Sequence, residues 1–427
     1  MDTIFAVASG AGRTALTVLR MSGPRSGALL QGLCTRLPAP RMASLRTLRA
    51  PNGEKLDRAL VLWLPGPGSY TGEDCAEFFL HGGRAVLTAV ADALVALGAR
   101  PAEPGEFSRR AFLNGRMDLL EAEAVADLVE AETAAQRTQA LRQMDGALGA
   151  LMRGWADRLL RLLAQQEALI DFPDEDLPPE VEAAALAEIS SIATEIAAAL
   201  DDDRRGERLR EGLVFAVAGA PNVGKSTLIN ALAGRQVAIV APTPGTTRDV
   251  LEARVELGGV PVTLLDTAGL RESDDAIEME GVRRARARAA AADLEVMVQD
   301  ASRPDDAVEA VAERMLRVAN KVDVAPAREA LGVSALTGEG MDALREALAE
   351  IAREMTQAAG APPLTRARHR AALTEAVERL RTAGVADLPE LRAEDLRLAL
   401  RAIGRVTGAV GVEEILDSVF RQFCIGK

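Results

Sequence analysis

The segment Gly219–Ser226 constrains this chain more than any other feature, because it reads Gly-Ala-Pro-Asn-Val-Gly-Lys-Ser and fits the pattern G-x-x-x-x-G-K-[ST]. It follows the apolar run Leu213–Ala218, a predicted strand, and precedes a predicted helix, which is the setting of a phosphate-binding loop. Its glycines let backbone N–H groups turn inwards, and the helix N-terminus favours negative charge. We expect Lys225 to reach the β- and γ-phosphates of a nucleotide and Ser226 to hold Mg²⁺.

Further segments complete the nucleotide site, and two of them identify the base as guanine. Asp266–Gly269 follows a predicted strand and would place a carboxylate near Mg²⁺, and Gly245–Thr247 offers a threonine for the same ion. In Asn320–Asp323, the last carboxylate can accept from the N1–H and the exocyclic amine of guanine, a pattern that adenine does not offer. Ser334–Leu336 can donate a backbone N–H to the guanine carbonyl. Four elements in this order, each at a strand end, predict a GTPase domain.

The residue after the Asp-Thr-Ala-Gly segment bears on the mechanism. Ras-like GTPases carry a glutamine there that orients the attacking water. The corresponding residue is Leu270, whose side chain has no polar atom to do so. Another group must therefore orient the water and neutralise the developing charge.

The chain has 427 residues, enough for about three domains, and 48% of them are hydrophobic, which is typical of a globular protein. The sequence lacks an apolar run of about 18 uncharged residues and the order of a signal peptide, so we expect a cytoplasmic protein with no membrane partner. Its cysteines (Cys34, Cys75 and Cys424) lie far apart and it has two histidines, which argues against a disulfide scaffold and a zinc ribbon.

The charge is unevenly distributed. The net charge of −13 excludes a generic nucleic-acid coat. Residues 1–116, however, hold fourteen basic and nine acidic side chains. The N-terminal segment is therefore the better candidate for an anionic partner, unless the difference is ordinary surface variation.

The composition and spacing of residues along the sequence predict a multidomain fold. Residues 1–116 mix short strands and helices, which indicates an α+β domain. Residues 117–210 and 357–427 are rich in Ala, Leu, Glu and Arg at helical spacing and predict an all-α domain. Residues 211–356 alternate between strands and helices and predict an α/β P-loop (Ras-like) G domain inserted into that helical domain.

Individual elements can also be predicted. The predicted strands are Ile4–Ser9, Ala15–Met21, Ala59–Leu64, Leu213–Ala218, Val260–Leu265, Leu294–Val298 and Met315–Ala319, and the predicted helices include Ala85–Leu97 and Val181–Leu200. The stretch Asp300–Asn320 is short for a crossover that contains a full helix.

Several long strings of this chain are distinctive, among them Ser69–Asp74, His81–Gly83, Arg110–Gly115, Asp171–Asp174 and the C-terminal Phe423–Lys427. These strings resemble those of the MnmE (TrmE) family of tRNA modification GTPases. The resemblance runs nearly from end to end and implies an N-terminal folate-binding domain, a helical domain and an inserted G domain.

The resemblance also implies partners and a reaction. It implies a homodimer built through the N-terminal domains, which works with an MnmG-type flavoprotein in a heterotetramer or larger assembly. Together they would install an aminomethyl or carboxymethylaminomethyl group at C5 of the wobble uridine of certain tRNAs. A 5-formyl- or 5,10-methylene-tetrahydrofolate would supply the one-carbon unit, in a pocket lined by Arg20, Glu77, Arg116 and Lys427.

In the G domain, the resemblance implies a K⁺ ion held by Asn222, Ala241, Thr243 and Thr246, and a Glu278 that orients the attacking water through a second water. The expected catalytic residues are Glu278, Lys225 and Asp266, and the expected Mg²⁺ ligands are Ser226 and Thr247. The full expected set of GTP-binding residues is Asn222, Val223, Gly224, Lys225, Ser226, Thr227, Ala241, Thr243, Gly245, Thr246, Thr247, Asp266, Thr267, Ala268, Gly269, Asn320, Lys321, Asp323, Ser334, Ala335 and Leu336.

Two other functions compete with this one. A regulatory GTPase of ribosome assembly would share the G domain, but the folate-type N-terminal segment and the Cys-Ile-Gly-Lys end argue against it. A folate-dependent transferase acting alone would leave the G domain unused. Cys424 is open to two interpretations, a nucleophile for uracil C6 or a packed side chain beside the folate.

Overall fold

The structure is a computed structural model that describes residues 2–10, 12, 14–171, 179–234, 252–266, 291–303, 314–328, 330–357, 362–410, 416, 419–421, 423 and 426. Its strands are β1 (Ile4–Val7), β2 (Leu16–Ser22), β3 (Ser44–Arg49), β4 (Lys55–Leu64), β5 (Cys75–His81), β6 (Arg100–Pro101), β7 (Leu213–Ala218), β8 (Glu252–Leu257), β9 (Val260–Asp266), β10 (Leu294–Asp300), β11 (Met315–Asn320) and β12 (Leu331–Val333). Its helices are α1 (Ser26–Cys34), α2 (Arg84–Ala96), α3 (Glu106–Leu113), α4 (Leu119–Glu130), α5 (Ala134–Met144), α6 (Ala147–Asp171), α7 (Pro179–Leu200), α8 (Arg205–Glu211), α9 (Lys225–Ala233), α10 (Met341–Thr356), α11 (Ala367–Val385) and α12 (Pro389–Thr407).

The chain divides into two compact units. The first contains Met1–Ala126, Gln143–Asp176 and Val385–Lys427, and the second contains Asp127–Arg142 and Leu177–Gly384. The mixture of one antiparallel sheet, long helices and one parallel sheet agrees with the predicted multidomain class. The predicted domain boundaries stay a prediction.

The first unit is built on a six-stranded sheet in the order β3-β4-β5-β2-β1-β6. All neighbours are antiparallel except β1 and β6, which run parallel. Side chains alternate across these strands, so that Leu19, Val61 and Phe78 point to one buried face, which α1 and α2 cover. The strands predicted in this segment and the helix Ala85–Leu97 are confirmed to within a few residues.

Helices and the C-terminal residues complete this unit. Helix α6 packs along α12. Phe420 and Phe423 lie against Phe112 and Leu119, with 5.3 Å between the centroids of the two C-terminal rings. The end of the chain is therefore anchored to the same unit as its beginning.

The second unit contains a sheet in the order β12-β11-β10-β7-β9-β8. Five strands run parallel, and β8 is an antiparallel edge strand that the sequence analysis did not predict. The predicted strands of the inserted segment are confirmed, and α9 and α10 pack against the apolar sheet. The carboxyl ends of β7, β9, β10 and β11 meet at one edge, where ligands bind in such sheets.

The connections to this sheet lie side by side. Gly206, before β7, packs directly on the carbonyl of Leu364, after α10. The Arg205 guanidinium donates to the carbonyl oxygen of Gln357 over 2.9 Å. The chain therefore enters and leaves the sheet at one place, as an insertion requires.

One described segment, Glu180–Glu211, has the length and mean hydropathy, 1.5, of a membrane span. It includes α7, in which Ile189, Ile192 and Ile196 are buried in the second unit at helical spacing. One such segment is weak evidence for a membrane span, because the core helices of other proteins pass the same length and hydropathy criteria.

Candidate functional site

The loop between β7 and α9 has the shape that the phosphate-binding pattern predicts. Gly219 and Gly224 have φ angles of 146° and 96°, which residues other than glycine rarely adopt. A Cβ on Gly219 would also collide with the carbonyl oxygen of Val298, and one on Gly224 with the side chain of Asn320. The Lys225 ammonium donates to the carbonyl oxygens of Gly219 and Ala220 at 2.7 and 2.8 Å, so it is held inside the loop.

Two hard oxygen ligands meet beside this loop. The Ser226 hydroxyl at the start of α9 donates to the carboxylate of Asp266 at the end of β9 over 2.5 Å. Asp266 is 6% exposed, so the carboxylate is held in the interior at the sheet edge. A hydroxyl and a carboxylate at this spacing are the donor set that Mg²⁺ prefers. The structure therefore brings together the predicted Ser226 and Asp266.

Asn320 and Lys321 join the end of β11 to the phosphate-binding loop. The Asn320 amide donates to the carbonyl oxygen of Val223 over 2.8 Å and accepts from the backbone N–H of Ala335 over 3.0 Å. The Lys321 ammonium donates to the carbonyl oxygen of Asn222 over 2.8 Å. Asn320 thus connects three predicted GTP-binding segments, and its buried amide fixes their backbones relative to one another.

Sequence analysis did not assign a role to Asp300, the last residue of β10. Its carboxylate accepts from the Lys321 ammonium over 2.7 Å and from the Ser302 hydroxyl over 2.6 Å. Burial raises the pKa of Asp300, but these hydrogen bonds and the charge of Lys321 outweigh it and lower the pKa to about 2. An acidic residue at the carboxyl end of a predicted parallel strand was the available signal.

The predicted base-binding residues lie at the same edge of the sheet. Asp323 follows Lys321 and is exposed, so its carboxylate is accessible to a ligand. Ser334 is fully buried, and its hydroxyl accepts from the backbone N–H of Thr337 over 3.2 Å. Leu336 is 83% exposed, which fits a role through its backbone. Val223 and Thr227 lie in the loop and the first turn of α9, as predicted.

Several predicted residues lie outside the described part of the chain. In the G domain these are Ala241, Thr243, Gly245, Thr246, Thr247, Thr267, Ala268, Gly269, Leu270 and Glu278, and at the C-terminus they are Cys424 and Lys427. Their roles stay predictions.

In the first unit, Arg20 and Glu77 face each other across β2 and β5. The Arg20 Nε donates to a Glu77 carboxylate oxygen over 2.9 Å, and both side chains are partly exposed, by 23% and 17%. The guanidinium lies 5.2 Å from the ring centroid of Tyr70, within cation–π distance. Burial raises the pKa of the Tyr70 phenol, which is hydrogen-bonded to the Ser108 hydroxyl at 2.8 Å.

The segment that carries Tyr70 is fixed by buried polar groups. Glu73 accepts from the Arg110 guanidinium over 3.1 Å and from the Ser22 hydroxyl over 2.7 Å. The Ser22 hydroxyl also contacts the Thr71 hydroxyl at 2.7 Å, in the buried interior. Tyr70 is therefore held beside Arg20 by a network in which the polar groups are hydrogen-bonded to one another. The sequence contains these residues but does not show which of them pair.

Two more predicted residues belong to this neighbourhood. Arg116 is exposed, and the stem of its side chain lies beside Gly72, two residues after Tyr70. A Cβ on Gly426 would collide with the carbonyl oxygen of Val7, so Gly426 lies against the end of β1, the strand paired with that of Arg20. Lys427 itself is outside the described residues, but its neighbour Gly426 lies on the sheet that carries Arg20 and Glu77.

Family models match most of the chain. Residues 3–116 match the N-terminus of the GTP-binding protein TrmE, and residues 119–424 match the MnmE helical domain. Among solved structures, the FeoB G domain of Methanococcus jannaschii covers 33% of this chain and 97% of its own, at 22% identity and a TM-score of 0.25. The T. maritima FeoB G domain covers 34% of this chain and 99% of its own, at 26% identity and a TM-score of 0.26.

Full-length relatives extend the match. A tRNA modification GTPase MnmE of Gluconacetobacter diazotrophicus is 60% identical over 99% of this chain and 98% of its own. One from Rhodospirillum rubrum is 56% identical over the whole of both chains. These matches show that the chain belongs to the MnmE family of tRNA modification GTPases.

Proposed function

We propose that this GTPase, with an MnmG-type flavoprotein, installs an aminomethyl or carboxymethylaminomethyl group at C5 of the wobble uridine of certain tRNAs. GTP hydrolysis, with Mg²⁺ and K⁺ at the nucleotide, gates the modification in the cytoplasm. A tetrahydrofolate bound to the N-terminal domain supplies the one-carbon unit. The observation that carries this proposal is the Arg20–Glu77 pair beneath Tyr70, because a G domain alone needs no such site.

The residues around Arg20 fit a folate. Glu77 offers a half-buried carboxylate to the donor edge of a pterin, and Tyr70 offers a flat aromatic surface beside it. Arg116 is exposed with no ion pair among the described residues, so its guanidinium is available to the carboxylates of the folate tail. The course of the chain at Gly426 supports a fourth contribution, from Lys427.

The sheet of the first unit supports the predicted homodimer. Opposite the face covered by α1 and α2, Leu16, Leu45 and Leu60 are 57%, 51% and 46% exposed. Leu45 and Leu60 are paired across β3 and β4, and Leu60 is paired with Phe79 on β5, so these side chains form one apolar surface. A second copy of the same sheet is the occupant that the family resemblance implies.

In the nucleotide site, the residues of this chain orient the phosphates. The glycine-bounded loop supplies backbone N–H groups, Lys225 supplies a fixed cation, and Ser226 and Asp266 supply oxygens for Mg²⁺. Mg²⁺ and K⁺, when bound, neutralise charge that develops on the β- and γ-phosphates. Since Leu270 cannot orient the water, Glu278 takes that role in the proposal.

The test is mass spectrometry of tRNA from cells that lack the gene, with and without a plasmid that carries it. C5-modified wobble uridines should disappear in the deletion and return with the wild-type plasmid. A plasmid with Glu77→Gln should restore less modification, although the purified variant should hydrolyse GTP like the wild type. Wobble uridines that stay fully modified in the deletion would show that the proposed reaction is wrong.

A further inference from the structure

The hairpin of β3 and β4 carries exposed cations that have no acidic partner among the residues that the structure describes. Residues 36–58 contain six Lys and Arg side chains but only two acidic ones, in a chain of net charge −13. Within the described part of the chain, Arg49, Lys55 and Arg58 make no ion pair. Arg49 donates to the carbonyl oxygen of Gly53 over 2.9 Å, a bond that leaves its positive charge uncompensated.

The sheet register brings these cations together. Arg49 is paired with Lys55 across the hairpin, and Arg58 is paired with Thr47, two residues before Arg49. In a regular ladder, directly paired side chains lie about 5 Å apart at Cβ and diagonal ones about 7–8 Å apart. The register of β3 and β4 shifts by one residue between Leu48 and Arg49, at the start of this cluster. Arg49, Lys55 and Arg58 therefore form one cluster at the end of the sheet.

A fourth cation follows the end of β5, at the start of α2, the helix that covers the opposite face of the sheet. Strands β4 and β5 are antiparallel, so β5 ends at the same end of the sheet at which β4 begins. Arg84, the first residue of α2, is exposed there and also has no ion pair among the described residues. No acidic residue lies in the first turn of α2, and its N-terminus adds a positive dipole. We call Arg49, Lys55, Arg58 and Arg84 the basic edge.

The two acidic side chains nearby do not neutralise the basic edge. Asp57 is buried, and it accepts from the ring Nδ1 of His81 at 2.7 Å and from the backbone N–H groups of His81 and Arg58. The negative charge of Asp57 is therefore already hydrogen-bonded within the sheet and does not face the basic edge. Glu54 is exposed and makes no ion pair within the described residues. Four cations thus face solvent with one carboxylate among them.

Two other exposed arginines of the chain, Arg254 and Arg353, contrast with this cluster because each has an acidic partner. Arg254 is paired with Glu132, and Arg353 with Glu346, over 3.2 and 2.6 Å. Because the whole chain is strongly acidic, a polyanion is repelled by most of its surface and attracted only where cations are uncompensated. We propose that the basic edge binds the phosphate backbone of the tRNA substrate.

Phosphate groups fit this surface better than a folded acidic protein does. Three of the cations lie on the β3–β4 hairpin at the border of the sheet and the fourth begins α2, and all four side chains are exposed to solvent. Separate, flexible Arg and Lys side chains make sequence-independent phosphate contacts, as positioning of a tRNA requires. The inference rests on the proposed function, because that function makes tRNA the substrate.

The test measures binding of the full-length protein to a fluorescently labelled, unmodified tRNA transcript with uridine at the wobble position. R49E/R58E should weaken binding about tenfold or more at low salt. The slope of log affinity against log salt should fall by about one for each phosphate group that the variant no longer binds. R49K/R58K, which keeps both charges, should bind like the wild type.

A matched control separates a local from a general charge effect. R161E/R381E reverses two exposed arginines of α6 and α11 and gives the same net charge, so it should leave tRNA affinity within about twofold of the wild type. Light scattering should find R49E/R58E in the same oligomeric state as the wild type. Equal weakening in both double variants, or dissociation of R49E/R58E into monomers, would overturn the assignment of the basic edge.

Three further outcomes distinguish the alternatives. If R49E/R58E binds tRNA normally but no longer binds the flavoprotein, the basic edge is a protein-docking surface and the proposal is wrong. If the wild-type gene restores wobble modification in deletion cells and R49E/R58E binds tRNA and restores modification equally well, the basic edge fails while the proposed function stands. If the wild type itself restores nothing, the proposed function fails.

Discussion

The nucleotide site and the Arg20–Glu77 site are assembled in opposite ways. At the nucleotide site, each contributing segment is a short loop at the carboxyl end of a parallel strand, so the functional residues of a segment are neighbours in sequence. Arg20 and Glu77 are 57 residues apart and meet only because β2 and β5 pair in one register. One site depends on loop shape and the other on strand register.

This difference determines how each site should respond to substitution. Gly219 and Gly224 have backbone angles and close neighbours that exclude any side chain, so the loop has little room for change. Arg20 and Glu77 are partly exposed, and water can take the place of a missing partner there. We therefore expect larger effects in the nucleotide site than in the Arg20–Glu77 site.

The largest effect is expected for Glu278→Ala. If Glu278 orients the attacking water, its removal should lower the GTP hydrolysis rate by about 10²-fold or more, with nucleotide affinity little changed, because its role is confined to the transition state. Single-turnover hydrolysis in KCl and fluorescent-nucleotide titration measure the two quantities. The wild-type rate should also be much higher in KCl than in NaCl at equal ionic strength. A fully active Glu278→Ala would contradict the role of Glu278 in orienting the water. Equal rates in the two salts would contradict the role of K⁺.

The second effect is expected at the base. Asp323→Asn should weaken GTP binding by about 2 kcal/mol, or about 30-fold, because guanine donors lose their acceptor. The variant should shift its preference towards xanthosine nucleotides, whose base presents the complementary groups. Calorimetric titration with GDP and XDP gives both affinities, and Asp342→Asn, an exposed acid on α10, is the matched control. Unchanged GDP affinity in Asp323→Asn would contradict the assignment of the base site.

The same difference explains what the sequence could predict. Motifs at strand ends that must share one sheet edge predict the loop Gly219–Gly224, the proximity of Ser226 and Asp266 and the position of Asn320. Arg20 and Glu77 were named only through the family resemblance, and their contact was not predicted, because residue patterns do not give the register of strands so distant in sequence. Asp300 and strand β8 were missed because neither lies in a motif, although charged and apolar residues alternate along β8 as they do in an edge strand.

The third effect tests the cross-strand site. Glu77→Gln should weaken binding of 5-formyltetrahydrofolate by about tenfold, because a charge-assisted acceptor becomes a neutral amide. Removal of residues 424–427 should also weaken it if Lys427 contributes. Equilibrium dialysis with the full chain measures the affinity, and Glu54→Gln on the hairpin is the matched control. GTP hydrolysis by Glu77→Gln should equal that of the wild type, and folate binding that is unaffected by both changes would remove this site from the proposal.

The smallest effect is expected for Asp300→Asn, which links strand β10 to the phosphate-binding loop through Lys321. The asparagine keeps an acceptor for Lys321 but loses the charge, so the loss of stability at neutral pH should be about 0.5–1 kcal/mol. Because the folded-state pKa of Asp300 is lowered from 3.8 to about 2, its contribution is fully present above pH 4 and is lost as the pH falls towards 2. The difference in urea midpoint between wild type and variant should therefore shrink across that range. A difference that is the same at pH 3 as at pH 7 would mean that the Asp300 charge does not stabilise the link, and that loop shape alone holds the nucleotide site together.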